Sequence, residues 1–93
     1  MTGIASRACK DLKQLASLTI GKNIAQIGTE AFYGCEKLQK ITIQTVKLTD
    51  SSVGVNAFLR IYEKPTVKCP AGKLEAYQAM LPGKGMPRET KYQ

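Results

Sequence analysis

The stretch Ile27–Ile43, IGTEAFYGCEKLQKITI, decides the fold because it obeys two periodicities in succession. From Gly28 to Cys35 it is compact, and Ala31, Phe32 and Cys35 fall on one face of a single helical turn. From Lys40 onward it alternates, so that Ile41 and Ile43 point one way while Lys40, Thr42 and Gln44 point the other. A long helix would keep the spacing of three and four throughout, and a plain strand would keep the alternation. A helical turn followed by a short strand cannot bury its apolar side alone, so the pattern demands neighbours of the same kind.

The rest of the chain supplies them. A shift of 23 residues brings Ile4 onto Ile27, Ala8 onto Ala31, Leu15 onto Leu38, Leu18 onto Ile41, Thr19 onto Thr42 and Ile20 onto Ile43. A shift of 26 in the other direction brings Ile27-Gly28 onto Val53-Gly54, Ala31-Phe32 onto Ala57-Phe58, Cys35 onto Ile61, Ile41 onto Val67 and Ile43 onto Cys69. The three extra residues fall in the polar stretch QTVKLTDSS, where lengthening a loop costs little. Internal repetition at a period in the twenties is the signature of a solenoid. The expected architecture is an α/β solenoid of about three right-handed parallel coils over residues 1–70, each a short strand plus a short helical turn. The right hand follows from the preference of parallel crossovers. Phe32 is expected to stack on Phe58, and Leu18, Ile41 and Val67 to line the core. The repeated Gly28 and Gly54 predict either a positive φ or a close backbone approach.

At these residues the chain resembles the BspA-like leucine-rich repeat family, whose coils carry an IGxxAFxGCxxLxxIxI pattern. The second coil matches nearly every position of it. The first departs with Cys9 at the Phe position, Asp11 at the Gly position and Leu12 at the Cys position, and the third with Arg60 at the Gly position and Lys64-Pro65 at the buried Leu. The resemblance covers roughly residues 4–70. It implies a leucine-rich-repeat solenoid in a secreted or surface-attached protein of a host-associated microbe. Adhesion to host or microbial surface proteins is the implied role.

Beyond the repeats, VKCPAGKLEAYQAMLPGKG predicts a closing helix over residues 71–81 that begins at Pro70 and stops at Pro82-Gly83. Leu74, Tyr77, Met80 and Leu81 share one of its faces. A solenoid needs such a cap, because its last coil otherwise exposes strand edge and core. The remainder, GKGMPRETKYQ, reads as a polar, loosely attached tail, so that residues 71–93 form a capping helix and tail. Nothing comparable precedes Ile4, and the chain reads as the carboxy-terminal part of a longer solenoid.

Composition narrows the function. No histidine is present, and the seven carboxylates lie scattered on polar positions, which argues against acid–base catalysis. The glycines of Gly83–Gly85 lack a phosphate-loop framework. Cys9, Cys35 and Cys69 lack metal-ligand spacing and read as small core hydrophobes, a disulfide between two of them being the lesser alternative. No enzyme activity, metal or cofactor is expected. The longest apolar runs are far short of the ~20 residues that span a bilayer, and MTGIASRACKDL has no signal-peptide core, as a fragment of a longer extracellular or cell-surface protein would not.

Fourteen lysines and arginines against seven acids give a net charge of +7. The excess is spread along the chain, and Phe32 and Phe58 belong to the core, so no stacking platform for nucleic acid is expected. The outward strand positions, Ser17 and Thr19, Lys40 and Thr42, Thr66 and Lys68, form two ladders of small polar and basic side chains. They are the candidate binding face, for surface proteins or anionic glycans. The alternative role is a purely structural cap or spacer with no ligand of its own.

Overall fold

The alternating segments form strands where the spacing places them. The computed structural model describes residues 3–93, so the first two residues of the expected repeat region lie outside the described residues. In chain order the elements are β1 (Gly3–Ile4), β2 (Ser17–Ile20), β3 (Gln26–Ile27), β4 (Lys40–Ile43), β5 (Thr66–Lys68), α1 (Leu74–Met80), a 3₁₀ turn (Leu81–Lys84) and β6 (Lys91–Tyr92). Strands β2, β4, β5 and β6 make one parallel sheet in that order, and β1 and β3 make a second, which an isolated bridge from Ile27 to Val53 carries on to the next coil. Leu18 pairs with Ile41 and Ile41 with Val67, at the shifts of 23 and 26 that the repeats require.

Between the two sheets lies the core. Ile27, Ala31, Phe32, Cys35, Leu38, Ile41, Ile43, Val53, Ala57, Phe58 and Val67 are all nearly inaccessible. The Phe32 and Phe58 rings stack with centroids 5.4 Å apart and planes 17° from parallel. Pro65 is buried while Lys64 is exposed, so the proline fills the space left by the missing third-coil leucine.

The expected helical turn in each coil is corrected to a run of tight turns. Within the second coil Ala31, Tyr33 and Cys35 donate to the carbonyls of Gly28, Glu30 and Phe32, whereas the alternate amides of Glu30, Phe32 and Gly34 donate to Val55, Ala57 and Leu59 of the next coil. An α-helix would leave unpaired only the amides of its first turn, not every second one. Here half of the amides run along the stack and tie the coils together. The reversals need left-handed residues, and they recur in register: Arg7 and Asp11 in the first coil, Glu30 and Gly34 in the second, Asn56 and Arg60 in the third, with φ from 56 to 79°. Arg60 and Asp11 thus keep the conformation of the glycine they replace. A non-glycine residue held there loses roughly 1–2 kcal/mol.

Gly28 and Gly54 resolve differently from that pair. Neither has positive φ, but a Cβ at Gly28 would sit 2.3 Å from the Ser6 amide nitrogen, and one at Gly54 2.3 Å from that of Thr29. These glycines are where neighbouring coils touch backbone to backbone. In the first coil the place is taken by Ala5, which is exposed.

The carboxy-terminal part departs from expectation twice. Pro70 does not open the helix: the Lys73 amide donates to the Pro70 carbonyl across Ala71-Gly72, and Gly72 at φ 82° makes this a tight turn that delays α1 to Leu74. Tyr77 and Leu81 are buried as the helical face predicts, but Leu74 is exposed. Nor is the tail loose. Lys91–Tyr92 adds a fourth parallel strand to the sheet, Met86 is buried, and the Phe58 amide donates to the Lys84 carbonyl as Phe32 does to Ala57. The segment from α1 to β6 therefore closes the stack as an altered fourth coil. Tyr77 pins it by donating its hydroxyl to the Thr45 carbonyl at 2.8 Å, while the buried Thr45 hydroxyl donates to the Ile24 carbonyl at 2.6 Å.

Candidate binding face

Alternation in β2, β4 and β5 turns Ile20, Ile41, Ile43 and Val67 into the core and the flanking residues away from it. The register then sorts the outward side chains into rows. Ser17 pairs with Lys40, Lys40 with Thr66 and Thr66 with Lys91; Thr19 pairs with Thr42 and Thr42 with Lys68. All six residues singled out in the sequence share this sheet face. Ser17, Thr19, Lys40 and Lys68 are exposed, and Thr42 and Thr66 half-buried between their neighbours. Lys91 extends the first row, and the sequence reading left it out. Its signal was slight: Lys91-Tyr92-Gln93 repeats the polar–apolar–polar order of Thr66-Val67-Lys68, but no turn motif of the repeat precedes it.

Charge is distributed unevenly around the solenoid. Glu30 accepts from Arg7 at 2.9 Å and lies 3.9 Å from Lys10, whose ammonium also sits 5.3 Å from the centre of the Tyr33 ring. Glu36 accepts from Lys13 at 3.1 Å, which holds the Lys13 ammonium above its ordinary pKa. Glu89 lies 3.7 Å from Lys64 and Asp50 3.5 Å from Lys84. Lys40, Lys68 and Lys91 have no ion-pair partner among the described residues.

The cysteines are free thiols. Cys35 is buried and donates to the Cys9 carbonyl at 2.9 Å, while Cys9 and Cys69 are half-buried against the core. Burial pushes the Cys35 and Cys69 thiols up. The described residues contain no cluster of three or more histidine, cysteine or acidic side chains placed to hold a metal. No helix among them is long and apolar enough to cross a membrane.

Two clefts lie away from the sheet face. One, of about 360 Å³, is polar and runs along the second sheet between Ser6, Gln26, Thr29 and Ser52. The other, of about 350 Å³, is apolar and opens at the first coil, where Ile4, Ala8, Cys9, Leu18 and Phe32 line it.

The family model described as BspA type leucine rich repeat region (6 copies) matches residues 1–79. No curated protein and no solved structure matches the chain.

Proposed function

We propose that this chain, which belongs to the BspA-type leucine-rich repeat family, is a non-enzymatic binding module of a secreted or surface-attached protein, and that its outward sheet face meets the partner. The observation that carries the reading is the register: it gathers Ser17, Thr19, Lys40, Thr42, Thr66 and Lys68 from three coils onto one continuous surface. Extended solenoid faces serve as binding surfaces because each coil adds contact area without new architecture. Family membership makes an interaction surface the natural use of such a face, and adhesion to surface proteins or glycans the natural setting. The scattered carboxylates and the lack of histidine support a role without catalysis.

The apolar cleft at the first coil supports a place at the carboxy-terminal end of a longer solenoid, since another coil stacked there would cover Ala8, Cys9 and Leu18, which stand open or half-open in its lining. That coil would meet the Ala5 methyl where the inner coils have Gly28 and Gly54, so its junction would be wider. The second reading is a cap or spacer that binds nothing. The closure of the opposite end by α1 and β6 favours it.

The two are separated by titrating the isotopically labelled protein with matrix proteins and anionic glycans at low and high salt while following its amide resonances. Shifts centred on residues 17–19, 40–42 and 66–68 are expected. Shifts centred on the turns, or none with any ligand, would refute the binding face.

A further inference from the structure

The outward face of the four-stranded sheet is chemically one-sided. One row carries Ser17, Lys40, Thr66 and Lys91, and the other Thr19, Thr42 and Lys68. That is three ammonium groups and four hydroxyls, with no carboxylate and no aromatic or aliphatic side chain between them. The carboxylates that make ion pairs spend them on Arg7, Lys10, Lys13, Lys64 and Lys84; the one closest in sequence to the face, Glu89, lies beside Lys64. Lys40 and Lys91 stand in the same row two strand steps apart, about 9.6 Å. Lys68 occupies the step between them, in the other row.

We propose that this face binds a linear acidic polysaccharide, laid across the strands along the solenoid axis, with its sulfate or carboxylate groups meeting Lys40, Lys68 and Lys91 in turn and its hydroxyls meeting the serine and threonine rows. The assignment rests on the reading of this face as the contact surface. What selects a sugar polymer is the combination of isolated cations with short hydroxyls. A protein partner would need a desolvated anchor, and the two rows offer no large apolar side chain to serve as one. A single-stranded nucleic acid would need aromatic platforms for its bases, and the face has none. An acidic polysaccharide asks for neither. It supplies closely spaced anions to point charges and hydroxyls to hydroxyls.

Binding of this kind is driven by counterion release, with about 0.7–0.9 decades of affinity lost per decade of salt for each neutralised charge on a linear polyanion. Three lysines then predict a roughly 20- to 40-fold loss of affinity between 50 and 200 mM salt. The test uses immobilised heparin as the probe, with polyglutamate and single-stranded DNA as competing polyanions. The sheet variant Lys40→Gln/Lys68→Gln/Lys91→Gln is compared with the equally charged Lys22→Gln/Lys37→Gln/Lys47→Gln, whose lysines are exposed and lie outside the strands. The sheet variant should lose tenfold or more in affinity and most of the salt dependence, and the other less than threefold. Equal losses in both, or DNA or polyglutamate binding as tightly as heparin, would overturn the inference. A matrix protein that shifts the sheet-face amides while heparin does not would overturn the polysaccharide and leave the binding face. No shift with either would remove both.

Discussion

Replacing Gly54 with alanine tests the coil contact that holds the stack at its spacing. The new methyl would lie 2.3 Å from the Thr29 nitrogen and 2.6 Å from the Gly28 carbonyl carbon and the Thr29 Cα. All three are backbone atoms, so no side chain can swing away. The coils must part. Overpacking of this kind costs about 1–3 kcal/mol. Parting also lengthens the bonds that flank the contact, Gly54 to Ile27 at 2.7 Å and Ile27 to Ser52 at 2.9 Å, each contributing about 1 kcal/mol. The sum is about 3–5 kcal/mol, against a total of roughly 5–14 kcal/mol for a chain of this length. The melting temperature should fall by roughly 15–30 °C. Gly21→Ala is the matched control, because nothing lies within 4 Å of a Cβ there and its φ is not positive. It should be neutral or stabilise by up to about 1 kcal/mol. Urea unfolding followed by far-UV circular dichroism measures both, provided the slope is unchanged. A Gly54→Ala protein within 1 kcal/mol of Gly21→Ala would refute the stacking geometry.

Arg60→Gly should stabilise the protein by about 0.5–1 kcal/mol in the same urea assay, because it relieves a left-handed arginine at φ 61°; a destabilised variant would show that the arginine side chain matters more than the strain. Burial pushes the Tyr92 hydroxyl up to about 12, with Thr90 near enough to offset part of the effect, yet Thr90 donates to the Pro87 carbonyl and the Tyr92 oxygen has no protein partner among the described residues. The folded state therefore keeps this proton where the unfolded chain loses it, so stability is full below pH 10 and declines as pH rises from 10 to 12. Tyr92→Phe should flatten Tyr92's part of that decline and raise stability at pH 7 by about 1–3 kcal/mol; an unchanged alkaline limb would contradict the burial. In native protein Cys35 should react with a thiol reagent far more slowly than Cys9 or Cys69, and all three alike in denaturant, since Cys35 alone is fully buried. Equal native rates would refute its core position.

The strands and their register were legible because each repeat keeps apolar residues at fixed offsets, and a one-residue slip would turn Ile41 and Ile43 out to solvent. For the same reason the outward rows could be named residue by residue. The turn segments were not legible in detail. Ala31, Phe32 and Cys35 suit one face of a helical turn as well as they suit successive tight turns, and only the second arrangement sends alternate amides along the stack. The choice depends on bonds to another coil, which local spacing does not encode. The helix start was misplaced because Pro70 suits a first helical position, while Gly72 two residues on favours a turn. Lys91 escaped because β6 is only two residues long and takes its strand conformation from β5.

The stack itself is tested most directly by nuclear Overhauser contacts in solution. Ile41 should contact both Leu18 and Val67, Thr42 both Thr19 and Lys68, and the Phe32 ring the Phe58 ring, with residue numbers on facing strands rising together. Contacts that join β4 to β2 or β5 with the numbers running in opposite directions, or a Phe32 ring without contact to Phe58, would contradict a parallel solenoid and the binding face built on it.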